Sequence, residues 1–519
     1  MISLKRKRRG AGRATAAVVA VLALLVTACS SGDDGTKDAG KDGTSTPVKI
    51  ALGFEPAQLN PAFGTATDGI VGAAFLEHFV AVDENLTVND SGLATSWERT
   101  GDRSWTFKVR PNVKFQNGEP LDAKAVAFSI ETMKAEPGVF NSFYQVIDKV
   151  TVVDPLTLEV ATSAPSNAIP ETFASLWLVP PAYYAEVGKD GFGAEPIGTG
   201  PFKFTKWNRG TEITAEANPD YWQGAPRAPG LSWTFAPEAS TRTSLLETGA
   251  VHIVQDIPVG QQKSVEEAGF EITRFSPTGL MRLQISKESS PLNDRELRVA
   301  AAQAIDREAI VDGIFGGDGI GAKATDVFFS DVFDLGPAPT SDDTTYNPEA
   351  AKATLAKRGG VDLNLYYTTG RWPADHEVGE AVAGMLDAVG FKVKRIPMDP
   401  TEFITAKNTS TWSGAMLHVT RAVFPHPSVF VGAYLLKTSS SQYCVNPEYD
   451  RLNEVGVSSN DPEEAKEAYR SIEKLTLIDD LCFVNLYEQI IAYGVDSHIR
   501  DFKPTRDELI DYRTLRYEG

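Results

Sequence analysis

Three cysteines, six histidines and a few arginines set beside aromatic rings are the residues of this chain that could do chemistry. None is spaced for catalysis. His376-Glu377-Val378-Gly379-Glu380 comes closest to a zinc-protease helix, but Glu380 stands where the second histidine ligand belongs. The run reads as the acidic start of a helix. Gly317-Asp318-Gly319-Ile320-Gly321 follows a predicted helix instead of a strand, which argues against a dinucleotide loop. No nucleophile elbow G-x-S-x-G and no Walker loop occurs, and His418 and His426 are too loosely placed to be metal ligands. No metal or cofactor is implied.

Cys29 has a different chemistry in view. Lys5-Arg6-Lys7-Arg8-Arg9 and Arg13 precede an apolar run from Ala14 to Ala28, which ends in Val26-Thr27-Ala28-Cys29. Basic start, apolar run and small residues before a cysteine make a secretory signal resembling a bacterial lipobox. About fifteen apolar residues fall short of the roughly twenty that a spanning helix needs. Residues 1–28 are therefore expected to be cleaved, leaving Cys29 as a lipid-bearing N-terminus on the outer face of the cell membrane. A plain secreted protein is the alternative. Ser30 to Thr46 is polar and Gly-rich, and 29–46 reads as a disordered tether.

Cys444 and Cys482 remain. In an oxidising compartment an even pair reads as one disulfide, with two buried free thiols as the alternative. Cleavage would leave 491 of the 519 residues, enough for two or three domains. Losing the six basic residues of the first 28 takes the formal charge from −19 to −25, which argues against a nucleic-acid partner.

The elements that must position these residues alternate between strand and helix. Residues 48–54 read as an opening strand, and Trp105 to Arg110 alternates apolar and polar at period two. Asp122 is placed to cap a helix through Met133, with Val126, Ile130 and Met133 as its inner stripe. Asn347-Pro348-Glu349 starts a helix that Gly359 stops. A helix from about Glu377 to Val389 ends at Gly390 and leads into an alternating strand from Phe391, and another follows Asn460-Asp461-Pro462 toward Leu477. Arg298 and Asp306 read as a surface or inter-helix pair. The alternation argues for mixed α/β lobes.

Five segments carry a resemblance over nearly the whole mature chain. They are Leu93 to Glu98 with Trp105 to Arg110 and Val113 to Leu121, then Gly198-Thr199-Gly200-Pro201-Phe202, Asn218-Pro219-Asp220-Tyr221-Trp222, Asp294 to Arg298 with Ala304 to Arg307, and Asn446-Pro447-Glu448-Tyr449-Asp450. In that order they resemble the motifs of the family 5 extracellular solute-binding proteins, the oligopeptide-binding lipoproteins of ABC importers. The resemblance implies a two-lobed periplasmic-binding-protein-like α/β fold (type II, large family 5 form) with an additional α/β domain. Lobe I is then expected at 47–76, 196–276 and 491–519, the extra domain at 77–195 and lobe II at 277–490. A peptide or peptide-like solute would be enclosed by hinge closure and delivered to an ABC permease by a monomer that performs no reaction. Most of the motif residues, Trp97, Trp105, Phe107 and Phe115 among them, read as scaffold.

Two other classes stay open. An extracellular hydrolase is opposed by the missing motifs, and a lipoprotein of the same fold could bind metal chelates or act as a chaperone-like surface. In oligopeptide binders an aspartate within W-x-A-D-Y-x-x-P pairs with the peptide's ammonium. The best match here, Thr420 to Pro427, has Val423 in its place. That opens the ligand class to sugars, opines, blocked peptides or anionic metabolites. Arg421, with His418, Trp412, Phe424, Arg371 and Trp372, is the expected ligand set. If the segment is extended, Arg421 and Val423 project to one side.

Overall fold

The computed structural model describes residues 46–519 apart from 63–67, 137–140, 288–290, 330, 410–411, 422–425 and 440–443. The signal segment, Cys29, Val423 and Phe424 lie outside the described residues. Three of the five sheets among the described residues hold most of the strands, and the first strand is central to one of them. Val48–Leu52 (β1) pairs in parallel with Gly230–Phe235 (β2) on one side and with Ile253–Val254 (β3) on the other. The helix Ala239–Glu247 (α1) leaves β2 and returns on the far side of β1 as β3. Glu271–Phe275 and Ile491–Val495 extend this sheet beyond β3, and Glu212–Ala217 with Phe202–Asn208 extend it beyond β2, giving seven strands.

The second large sheet has six. In chain order its main strands are Leu280–Ile285 (β4), Val361–Thr368 (β5), Phe391–Met398 (β6), Ala415–Thr420 (β7) and Phe483–Gln489 (β8). In space the order is Ala322–Ala324, β8, β4, β7, β5, β6, with β5 parallel to both β6 and β7. Asp375–Val389 (α2) links β5 to β6. Gly390 ends it in a left-handed conformation, φ 115°, as the sequence predicts. The chain crosses between the large sheets twice, after Phe275 and after Gln489. The crossings run side by side, the Gln489 N–H donating to the Gly279 carbonyl at 2.9 Å.

A four-stranded antiparallel sheet, Ala94–Gly101, Ser104–Val109, Thr157–Thr162 and Ile147–Asp154, is packed by the helix Ala123–Ala135. Asp122 caps that helix through the N–H groups of Lys124 and Ala125, and Val126, Ile130 and Met133 face inward as expected. Trp105, Phe107 and Phe115 are buried in this layer and Trp97 packs at its margin.

The sequence motifs meet one another. Gly200 lies so close to Phe75 that a Cβ would come within 2.5 Å of the Phe75 carbonyl carbon, which is why only glycine fits there. The Gln116 amide donates to the carbonyls of Gly200 (3.0 Å) and Phe202 (2.7 Å), and Asn218 donates to Gly200 at 3.2 Å. Tyr221 and Trp222 then clamp the half-buried Glu77 carboxylate at 2.7 and 2.9 Å. One expectation is corrected. Arg298 does not pair with Asp306 but donates to the carbonyls of Asp480, Leu292 and Asn293, because its head is buried among chain turns, and Asp306 caps the next helix instead.

Candidate ligand cleft

Parallel strands that split their crossovers to opposite sides leave a crevice at their carboxyl ends, where ligands bind in open α/β sheets. Both large sheets have such an end. In the first, the Arg242 side chain on α1 gathers the ends of β2 and β3, donating to the carbonyls of Ala236 (2.8 Å), Pro237 (2.7 Å), Gln255 (3.0 Å) and Asp256 (3.2 Å). Gly53, just past β1, leaves it room, since a Cβ there would sit 2.9 Å from Arg242 Nη1. Gln255 and Asp256 are thereby fixed at the mouth of the sheet. Asp256 is held at φ 58°, an uncommon backbone conformation for a residue with a side chain.

In the second sheet, the carboxyl ends of β5 and β7 lie side by side. The Asp375 carboxylate accepts the N–H groups of Gly370 (2.9 Å), Arg371 (2.9 Å) and Trp372 (3.1 Å), which pins the turn after β5. Arg421, the first residue past β7, lies over the Trp372 ring at 4.8 Å, and Arg371 lies 4.9 Å from the same ring. Arg421 then crosses to the other side and pairs with Glu508 of the C-terminal segment. Glu508 is buried and also has a positive φ, 70°.

The electrostatics follow from this burial. Desolvation pushes the Glu508 carboxyl up, Arg421 opposes the rise, and Asp256 and Asp507 add to it. Asp256 is likewise pushed up by burial, against the charges of Arg242 and Arg421. Burial and then the like charge of Arg421 pull Arg371 down. Tyr493, wholly buried, is pushed well up by burial and then by the charges of Asp256 and Glu508.

Of the expected ligand set, the structure brings together Arg421, Arg371 and Trp372. His418 sits a layer deeper on β7, its Nε2 2.7 Å from Gln284 Oε1, and burial keeps it uncharged. Trp412 is buried with Phe403, Met398 and Met416 in a small core cluster. Cys444 and Cys482 are bonded to each other, their Cα atoms 5.9 Å apart. Asp480 lies with them in a group within 4.8 Å, but bonded sulfurs offer no thiolate to a metal ion. A separate depression of about 220 Å³ beside Glu77, Asp511 and Arg513 is lined by groups already paired: Glu77 by Tyr221 and Trp222, Arg513 by Asp511.

Residues 90–442 match the family model described as bacterial extracellular solute-binding proteins, family 5 Middle. The chain belongs to that family. As a family 5 solute-binding protein it is built to capture a solute, and the cleft between the two large sheets is its candidate site. The oligopeptide-binding protein AppA of Bacillus subtilis is 24% identical over 538 residues, covering 96% of this chain and 98% of AppA. The glutathione-binding protein GsiB of Pectobacterium atrosepticum is 27% identical over 372 residues, 67% of this chain and 69% of GsiB. The ABC transporter substrate-binding protein CtaP of Listeria monocytogenes has the same fold, with a TM-score of 0.81, 19% identity, and coverage of 92% of this chain and 100% of CtaP.

Sequence reasoning missed Asp256, Glu508, Arg242 and Tyr493. A polar pair directly after a short apolar strand, Ile253-Val254-Gln255-Asp256, was the available signal for the first. Glu508 lies in an irregular segment and carries no periodic signature.

Proposed function

We propose that this family 5 protein stands outside the cell, held to the membrane by lipid on Cys29. There it captures a peptide or peptide-like small molecule between the two large sheets and hands it unchanged to the permease of an ABC importer. The meeting of Arg421 and Glu508 carries this reading: it joins the carboxyl end of β7 to a C-terminal acid that also feels the charge of Asp256, just past β3, so residues beyond both sheets meet at one place. Names borne by relatives, oligopeptide-binding and glutathione-binding, support a peptide-like ligand. The basic, apolar and small-residue order before Cys29 supports the anchor.

The lobes are read as 47–76 with 196–276 and 491–519, and as 277–490, with 77–195 as the extra domain. The side-by-side crossings at Gly279 and Gln489 serve as hinge, and the protein acts as a monomer. Mass spectrometry of small molecules released by unfolding the purified mature protein tests the capture. One released compound in about equal molar amount, unchanged after prolonged incubation, is the expected result. Absence of any released compound, or its chemical conversion, would overturn the proposal. The intact mass of membrane-derived protein checks the anchor, which fails if Cys29 carries no acyl groups.

A further inference from the structure

We infer that the junction between the extra domain and lobe II is a proton-operated latch: a proton on Glu171 keeps the two docked and the cleft closed, its loss lets them part, and solute is held more tightly in mildly acidic than in alkaline surroundings. This rests on the reading of the cleft as a capture site that closes at a hinge. Three contacts build the junction. Val429, on the lobe II helix Pro427–Tyr434, packs against the core of the four-stranded layer. Arg99, on the strand Ala94–Gly101, donates to the carbonyls of Ser458 (3.2 Å) and Ser459 (3.3 Å) at the end of the lobe II helix Pro447–Ser458. Asn167 adds its N–H and its amide to the carbonyls of Val457, Gly456 and Ser459. Two residues later the chain enters the helix Ile169–Phe173, whose Ile169 and Phe173 turn into the core of the extra domain. Glu171, midway between them, falls on the opposite side of that turn, and its charge is felt by Tyr469 of the lobe II helix Pro462–Lys474.

A carboxylate is poorly received there. Glu171 Oε2, Asn167 Oδ1 and Tyr469 OH are all buried with no hydrogen-bond partner among the described residues. The Tyr469 hydroxyl lies beside Ser428 without closing a bond of good geometry, and the Ser428 hydroxyl is engaged by His426 Nδ1 at 2.7 Å. His426, its ring 5.6 Å from that of Tyr469, is pulled down to about 4 by burial and brings no positive charge at neutral pH. Glu473, one turn further along the same helix as Tyr469, accepts the N–H groups of Phe328 and Phe329. On the extra domain's own side, the Tyr144 hydroxyl is bonded to Ser175. The junction therefore presents two acceptor oxygens and one hydroxyl, and a proton on Glu171 adds the donor that is lacking. Burial pushes the Glu171 carboxyl up to about 7 against its own backbone N–H, with no cation among the described residues to oppose the rise. Parting the domains returns the carboxyl to water and to its ordinary range. The docked state thus binds this proton more tightly, and its advantage is lost as pH rises through 7.

The Asn167 N–H, bonded to Val457 across the junction, is freed when the domains part, so its protection from hydrogen exchange reads the latch. On the full mature protein as purified, that protection, corrected for the intrinsic pH dependence of exchange, should fall about tenfold between pH 6 and pH 8.5. In Glu171→Gln it should stay level over the same range. In Arg99→Ala it should be lower throughout and keep the wild-type dependence on pH, because a contact is lost and the titrating group is not. Wild-type protection that ignores pH, a Glu171→Gln profile that follows the wild type, or an Asn167 amide already unprotected at pH 6 would each overturn the inference. Small molecules released by unfolding at pH 6 report on capture separately. A released compound beside a pH-independent amide would overturn the latch and leave capture intact, whereas no released compound beside the expected amide profile would overturn capture and uphold the proton-linked docking.

Discussion

Arg421 and Glu508 form an ion pair between the carboxyl end of β7 and the C-terminal segment, with side-chain exposures of 21% and 10%. Removing the arginine leaves a nearly buried carboxylate without its partner. Arg421→Ala should lower unfolding stability by about 2–3 kcal/mol, less than for a fully buried pair because water screens the exposed fifth of the arginine. Arg421→Met with Glu508→Gln should recover most of that. Urea unfolding measures both, and a double variant no better than the single one would contradict the account.

Asn167 ties the region of the four-stranded sheet to the helix Pro447–Ser458. Its N–H donates to Val457 O at 2.7 Å, and its amide to the carbonyls of Gly456 (2.9 Å) and Ser459 (3.2 Å). On the proposed hinge closure, these bonds between the extra domain and lobe II would help to hold the closed state. Asn167→Ala should therefore weaken ligand affinity by about tenfold through the population of that state, with no contact to ligand. Titration with the ligand released from the protein measures it, and unchanged affinity would contradict the account.

Burial pushes the Glu171 carboxyl from 4.5 up to about 7, and its Oε2 has no hydrogen-bond partner among the described residues. The folded state binds this proton more tightly than the unfolded chain does. Its stabilisation is complete below pH 4.5 and is lost as pH rises through 7. Glu171→Gln mimics the protonated acid, so at pH 8 it should stabilise by up to about 3 kcal/mol and at pH 4 change little. Melting curves across that range check it, and parallel wild-type and variant profiles would contradict it.

Cys444 and Cys482 are 38 residues apart in sequence. A bond between them removes unfolded-state entropy worth roughly 4 kcal/mol in the chain-closure account. Cys444→Ala should cost about that much. Alkylation of the wild type without reductant should label neither residue in denatured protein, and labelling of both would contradict the bond.

The scaffold was legible where a local rule fixes the backbone. Asp122, Asn347, Asp461 and Gly390 sit at helix ends because capping and left-handed termination act within a few residues. The cleft was half legible. Arg421, Arg371 and Trp372 follow strands whose apolar pattern is visible, whereas Asp256 and Glu508 come together from positions more than 250 residues apart in irregular segments. Arg298 was misread for a related reason: its partners are backbone carbonyls, which leave no trace in residue type.

Hydrogen–deuterium exchange on the purified protein, with and without the ligand released from it, tests solute capture between the sheets most directly. Amides of 369–372 and 420–421 on one sheet, and of 255–257 with 505–509 on the other, should slow together when ligand is added. Slowing on one side alone, or on neither, would contradict the account.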